Sequence, residues 1–306
     1  MDQISTLPAL PIRPENAHKG TFGSVAVVGG SIGAMLEHAR MLGAPSLAAN
    51  GAIRSGCGLV RVAVPETMLD AVLSLCPFAT GYALAVGADG DPISHECAPV
   101  LDRLFETNDA LVIGPGLGAG DGVTKLVLRA IAQDLIPVVI DADAISALCG
   151  SVDFAGDLFA PCVLTPHPGE AQRLCSALNI NCDPAGTDEQ RIDACTHIAQ
   201  RLGSIVVLKG NRTVVSDGHG YWVCERGHPC LASAGTGDVL AGMIGSLLAQ
   251  HGRDRTLTHL QCAIAGVHAH AIAGERWSAG ADASGGMTAV DLCEKIPGAI
   301  ESLRES

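Results

Sequence analysis

ALVIGPGLGAGDGVTKLVLRAIAQDLIPVVIDADAISAL, residues 110–148, decides the architecture. Two apolar runs, Ala110 to Ile113 and Pro137 to Ile140, are too short for helices and lack the alternation of a strand with one wet face. They read as strands buried on both sides, as in a parallel sheet. Between them the glycine turn IGPGLGAG, 113–120, leads into Gly122 to Gln133, which has helical length and spacing. The second run ends in Asp141 and Asp143, ahead of another helical pattern.

The alternation extends both ways. Ser24 to Val28, Leu59 to Val64, Cys162 to Leu164 and Ile205 to Leu208 read as further buried strands. Ala44 to Ser55, Glu66 to Leu75, Ser94 to Phe105, Gly169 to Leu178 and Thr187 to Leu202 read as helices. From Thr213, TVVSDGHGYWV forms two short runs around Asp217-Gly218 and predicts a hairpin, hence a short antiparallel edge. Three more helices are expected at Val239 to Gln250, Leu257 to Ala273 and Thr288 to Leu303, the last interrupted at Pro297. The fold class is therefore α/β, a mainly parallel central sheet with helices on both faces. No linker interrupts it, so one domain over residues 1–306 is expected.

Composition narrows the function. Hydrophobic residues at 48% against 17% charged exclude a disordered chain. Nineteen Lys and Arg against 32 Asp and Glu leave −13, which repels nucleic acid and anionic membranes, so bound phosphate must be held by local geometry. The uncharged stretches Ala71 to Ala88 and Thr256 to Gly274 are broken by Pro77, Gly81 and Gly87 and by His259, Gln261, His268 and His270, which argues against membrane spans. The opening MDQISTLPALPIRPENAHKG lacks a basic region and an apolar region, predicting a cytoplasmic chain. Twelve cysteines without a C-x-x-C pair read as reduced, mostly buried thiols, and His268 and His270, two apart, lack zinc spacing.

Five segments carry chemistry. LASAGTGDVLAGMIGSLLAQ, 231–250, sets Gly235 and Gly237 before an apolar-periodic helix, whose N-terminal amides make an anion cradle. Asp238 at its mouth is either the N-cap or a general base. IVVLKGNRTVV, 205–215, ends a buried strand in Lys209-Gly210 and offers a cation, amides and a hydroxyl to one ligand, or forms a plain hairpin. VLTPHPGEAQRL, 163–174, puts His167 at a strand's carboxyl end and Glu170 in the first helical turn, as a dipole partner or an outer-sphere magnesium ligand. Gly116 is placed for close backbone approach. Asp141 and Asp143 orient a ligand hydroxyl or cap the next helix, with capping favoured for Asp143.

Together with HKGTFGSVAVVGGS, 18–31, these segments resemble the ADP/ATP-dependent NAD(P)H-hydrate dehydratase family, from about Ala17 to about Ala273. TPHPGE, VVLKGNRT and AGTGDVLAG in combination are far more specific than any of them alone. The resemblance implies a ribokinase-like fold and a lyase that restores NADH or NADPH from the S-form hydrate by phosphorylating the 6-hydroxyl and losing phosphate. It implies Mg2+ and ADP or ATP as donor, with the absence of a transit peptide tilting the expectation to ADP. Asp238 matches the catalytic position. Ala44, Gly116, His167 and Asp238 match substrate positions, and Lys209, Gly210, Asn211, Arg212, Thr213 and Gly237 match nucleotide positions. A homotetramer is implied as well. With 17 residues ahead of His18 there is no room for an epimerase domain, so an epimerase is expected on a separate chain. The family pattern has fewer residues where this chain carries IGAMLEHARML, 32–42.

Two other readings compete. Gly29-Gly30-Ser31-Ile32-Gly33 matches the G-x-S-x-G nucleophile turn of hydrolases, but only 28 residues precede it. A ribokinase-like kinase of a thiazole or pyrimidine alcohol would share Asp238 without TPHPGE.

Overall fold

The computed structural model describes residues 2–33, 39–252 and 256–304. Ten strands make one sheet: β1 (Asp2–Gln3), β2 (Ser24–Val28), β3 (Leu59–Pro65), β4 (Thr80–Leu84), β5 (Ala110–Ile113), β6 (Val138–Ile140), β7 (Cys162–Leu164), β8 (Ile205–Leu208), β9 (Val214–Ser216) and β10 (Gly220–Val223). Their order is β1-β10-β9-β8-β7-β6-β5-β2-β3-β4. Pairing is parallel from β4 through to β8, and antiparallel only across β8, β9 and β10. The chain runs outward from β2 to β4 and then returns to β5 on the other side of β2. Strand order therefore reverses between β2 and β5, where open α/β sheets bind ligands.

Register fixes what lies there. Val28 pairs with Ile113, Ile113 with Ile140, and Ile140 with Leu164. The next residues, Gly29, Gly114, Asp141 and Thr165, consequently stand in one row along the carboxyl edge.

Side chains of β2 alternate between two cores even though every one of them is buried. Val25 and Val27 face α1 (Gly43–Arg54), α2 (Leu69–Leu75), α8 (Thr236–Leu247), α9 (His259–Ala281) and α10 (Ala289–Glu301). Ala26 and Val28 face α3 (Ser94–Thr107), α4 (Asp121–Ile131), α5 (Asp143–Cys149), α6 (Pro168–Ala177) and α7 (Asp188–Leu202). Helices α1 and α8 meet backbone to backbone, because a Cβ at Gly51 would lie 2.3 Å from the Val239 carbonyl oxygen and one at Gly242 only 1.9 Å from that of Ala48. Gly242→Ala should therefore cost about 1–3 kcal/mol through overpacking, read by urea denaturation.

The structure corrects the sequence reading in places. Pro297 lies inside an unbroken α10, since Leu292, Cys293, Ile296, Ala299 and Ile300 are packed on both sides of it. The helix expected from Val239 begins at Thr236, and the one expected to end at Ala273 runs to Ala281. Strands β1 and β4 were not anticipated. Residues 34–38 of the run at 32–42 lie outside the described residues. None of the twelve cysteines forms a disulfide, and ten are buried. No described helix is long and apolar enough to cross a membrane.

Candidate active site

Asp141, from the carboxyl edge of β6, is 1% exposed. It accepts hydrogen bonds from Thr165 Oγ1 and from Lys209 Nζ, both at 2.7 Å. Lys209 leaves the end of β8 with its N–H on the Pro166 carbonyl, 2.9 Å away, and so reaches back across β7. Burial works against its charge, but Asp141, Glu170 and Asp238 together outweigh burial and hold its pKa above the ordinary value.

Asp238 stands opposite, in the first turn of α8. The capping alternative does not describe it: the N-cap is Gly235, at φ +87°, and Asp238 is the third helical residue. The first backbone bond of the helix runs from Val239 N–H to the Gly235 carbonyl at 3.1 Å. The amides of Gly237 and Asp238 precede it and face outward from a positive helix end. Burial, then Asp141, Asp143 and Glu170, push the Asp238 carboxyl up to about 7 against the pull of Lys209. A carboxylate poised there is matched to take a proton near neutral pH. Behind the turn, His270 Nε2 lies 2.9 Å from the Thr236 carbonyl. Burial lowers its pKa to about 4, so the ring is a neutral donor holding the cradle from below.

His167 is the N-cap of α6. Its Nδ1 accepts from the N–H groups of Gly169 and Glu170 at 3.0 and 3.3 Å, while the His167 backbone N–H donates to Glu170 Oε2 at 2.8 Å. Because Nδ1 accepts, the ring proton sits on Nε2, which lies 3.4 Å from Glu170 Oε1. Burial, Lys209 and Arg173 depress the His167 pKa, which keeps the ring neutral and its Nε2 a donor. His167→Ala should lose the cap, about 1 kcal/mol, and, if the ring contacts substrate as expected from the sequence, raise KM more than it lowers kcat in steady-state assays.

The loop Lys209 to Thr213 is shaped from beneath by Arg191 of α7, which is 8% exposed. Its guanidinium donates to the carbonyls of Leu208, Lys209 and Asn211. Those carbonyls thus turn inward. Gly210, at φ +145°, admits no Cβ, which would meet Arg191 Nη2 at 2.8 Å. Thr213 Oγ1 closes the loop on the Gly210 carbonyl at 3.0 Å. Arg212 is engaged by Glu225 and Asp188, so its charge staples the loop to its surroundings. Gly237 faces this loop, since a Cβ on it would lie 3.4 Å from Lys209 Nζ.

Gly116 and Ala44 meet across the switch point: a Cβ at Gly116, which has φ +62°, would stand 3.1 Å from that of Ala44. Asp143 does not cap α5. Its Oδ2 accepts the Gly118 N–H at 2.8 Å and ties the glycine turn to the carboxylate cluster. The structure thus brings Asp141, His167, Glu170, Lys209, Gly237 and Asp238 together, with Gly116 and Ala44 beside them. Sequence reasoning missed Arg191 and His270, whose partners are backbone carbonyls 17 to 20 and 34 residues away. His270 was weighed only as a metal ligand and as a polar break in a candidate membrane span.

The sheet order is that of a ribokinase-like fold, with an acid beside a free helix end at its switch point. The family profile described as NAD(P)H-hydrate dehydratase matches residues 25–298, and the chain belongs to that family. It is 31% identical over 300 residues to the ADP-dependent (S)-NAD(P)H-hydrate dehydratase of Xanthomonas campestris, covering 98% of this chain and 95% of that one. It is 36% identical to a bifunctional NAD(P)H-hydrate repair enzyme of Coxiella burnetii over 93% of this chain and 52% of the relative. The chain spans about half the length of several curated relatives it matches. Among solved structures, the ADP/ATP-dependent NAD(P)H-hydrate dehydratase of Bacillus subtilis, co-crystallized with ATP/Mg2+, superposes with a TM-score of 0.74 at 27% identity, over 98% of this chain and all of that one.

Proposed function

We propose that this chain dehydrates the S form of NADH or NADPH hydrate with ADP or ATP as phosphoryl donor, and that one domain carries the activity. The observation that supports the reading is the place of Asp238, a buried carboxyl pushed up to about 7 in the first turn of α8, whose free N-terminal amides suit an anion. All ten strands share one sheet, which supports a single domain.

The hydroxyl on C6 of the hydrate attacks the terminal phosphorus of the nucleotide. A new O–P bond forms, the bond to the bridging oxygen breaks, and AMP or ADP leaves. Asp238 takes the hydroxyl proton. Hydroxide is a poor leaving group and phosphate a good one, so the C6–O bond now breaks, assisted by the ring nitrogen lone pair. Loss of a proton from C5 restores the double bond. Gly237 and the Lys209 to Thr213 loop bind the nucleotide in this reading, and Ala44, Gly116 and His167 the hydrate. Glu170 and its neighbouring carboxylates are hard oxygen donors that suit Mg2+. Among the described residues no three His, Cys, Asp or Glu side chains can hold an ion by themselves, so Glu170 would share it with nucleotide phosphates. Bound there, it would neutralise charge on the transferred phosphoryl group.

A homotetramer in the cytoplasm completes the proposal, with a second repair activity as partner, which the bifunctional names of half-covered relatives support. The test is incubation with NADH hydrate and ADP or ATP while NADH absorbance is followed. Recovery with equimolar phosphate release is expected. A stable phosphorylated alcohol without absorbance recovery would instead identify a kinase.

A further inference from the structure

The serine of GGS, 29–31, has no part in this chemistry, yet its placement is unusual. Ser31 is 7% exposed and its Oγ has no hydrogen-bond partner. Buried hydroxyls are ordinarily satisfied. Here Ser46, Ser55 and Ser216 each donate to a backbone carbonyl at 2.7–2.8 Å, and Ser246 accepts the Cys57 N–H at 3.1 Å. Among the described residues Ser31 is the one buried serine left unpaired.

Its surroundings belong to the ligand crevice. Ser31 lies just past the carboxyl end of β2, at the switch point, and faces Gly118, where an added Cβ would come within 3.1 Å of Ser31 Cβ and 3.2 Å of its Oγ. Gly118 is two residues beyond Gly116 and is bonded to Asp143, whose charge acts on Asp238. A cavity of about 300 Å3 opens here, lined by Ser31, Gly90, Asp91, Leu117, Gly118 and Asp121. Asp91 is spent on the first amides of α4, accepting from Gly122 and Val123 at 2.7 and 3.2 Å. The carboxylates make the cavity hostile to phosphate and suited to a neutral polar group.

We propose that Ser31 is a substrate contact, its hydroxyl bonding an uncharged oxygen of the hydrate, and that this cavity holds that part of the molecule. The oxygen is the carboxamide carbonyl or a ribose hydroxyl. Rotation about χ1 brings the hydroxyl to it. The proposal rests on the dehydratase reading and adds a residue to the substrate site.

The test is Ser31→Ala, with NADH, the reaction product, as the binding probe followed by its fluorescence, ADP titrated by calorimetry, and Tm measured without ligand. NADH should bind about tenfold more weakly, the loss of one hydrogen bond. ADP affinity should hold, and Tm should hold or rise, since an unsatisfied hydroxyl has been removed. Unchanged NADH affinity overturns the contact, and so does a lower Tm, which would make Ser31 structural. Wild-type protein that binds ADP but not NADH overturns the dehydratase reading and the contact with it. The thionicotinamide analogue of NADH separates the two oxygens. Equal binding to both proteins assigns the carboxamide, and a persisting tenfold gap assigns the ribose.

Discussion

Asp238→Asn is expected to fold, to bind nucleotide, and to turn over the hydrate about 10²- to 10⁴-fold more slowly, the usual cost of losing a positioned base. The amide matches the carboxyl in size but cannot take a proton. Helix α8 should lose little, since Gly235 is its N-cap and Asp238 makes no capping bond. Removing a carboxylate beside polyphosphate relieves like-charge repulsion, so ADP affinity should hold or rise. The pH dependence has a definite sign. The proposed base works ionised, so kcat/KM of the wild type should rise with pH through about 7, where burial and the neighbouring carboxylates place Asp238. The same raised pKa means that the fold disfavours the ionised form, and stability contributed by the protonated group is lost as pH climbs from about 4 through about 7. The Asn variant lacks that loss. Its Tm advantage over wild type should therefore be larger at pH 8 than at pH 5, and equal advantages would remove the electrostatic account of Asp238.

Lys209→Met should destabilise the protein by about 3–5 kcal/mol, because removing one partner of a buried pair leaves the other charge uncompensated. The Asp141 side chain is only 2% exposed and Lys209 Nζ is its cationic partner at 2.7 Å. Adding Asp141→Asn should restore most of this stability, since an amide oxygen still accepts from Thr165 Oγ1. The double variant should nevertheless bind ADP poorly, for the cation beside Gly237 is gone. Urea denaturation and calorimetry on the single and double variants separate the two effects. Lys209 also favours ionised Asp238, so any residual activity of the Lys209→Met single variant, which keeps Asp141, should reach its midpoint at a higher pH than in wild type.

The strands that carry the site were legible because parallel strands buried on both faces spell unbroken apolar runs, and SVAVV, ALVI, CVL and IVVL coincide with β2, β5, β7 and β8. The edge strand β4 was not legible. TGYAL is half exposed and contains Gly81, so neither an apolar run nor a clean alternation marks it. Segments that meet a ligand advertise themselves through glycine, proline and charge at strand ends, which is why Asp238, His167 and Lys209 could be named from spacing. Arg191 and His270 act on carbonyls brought near only by the fold, and a backbone acceptor leaves no trace in side-chain identity. Asp143 was misread for a related reason: its position before a helix suggested a cap, but its acceptor capacity goes to Gly118.

The glycine contact between α1 and α8 has a mechanical consequence. Ala44 opens one of these helices and Asp238 the other, and with Gly51 and Gly242 locking their backbones together the two cannot slide or part without breaking van der Waals contact. They form an anvil. The separation between Ala44 and Asp238, the proposed substrate contact and the proposed base, is then set when the chain folds. Whatever adjustment the proposed ligands demand falls to the hammer side, the short turns after β7 and β8, where the hold is a few hydrogen bonds instead of a helix interface.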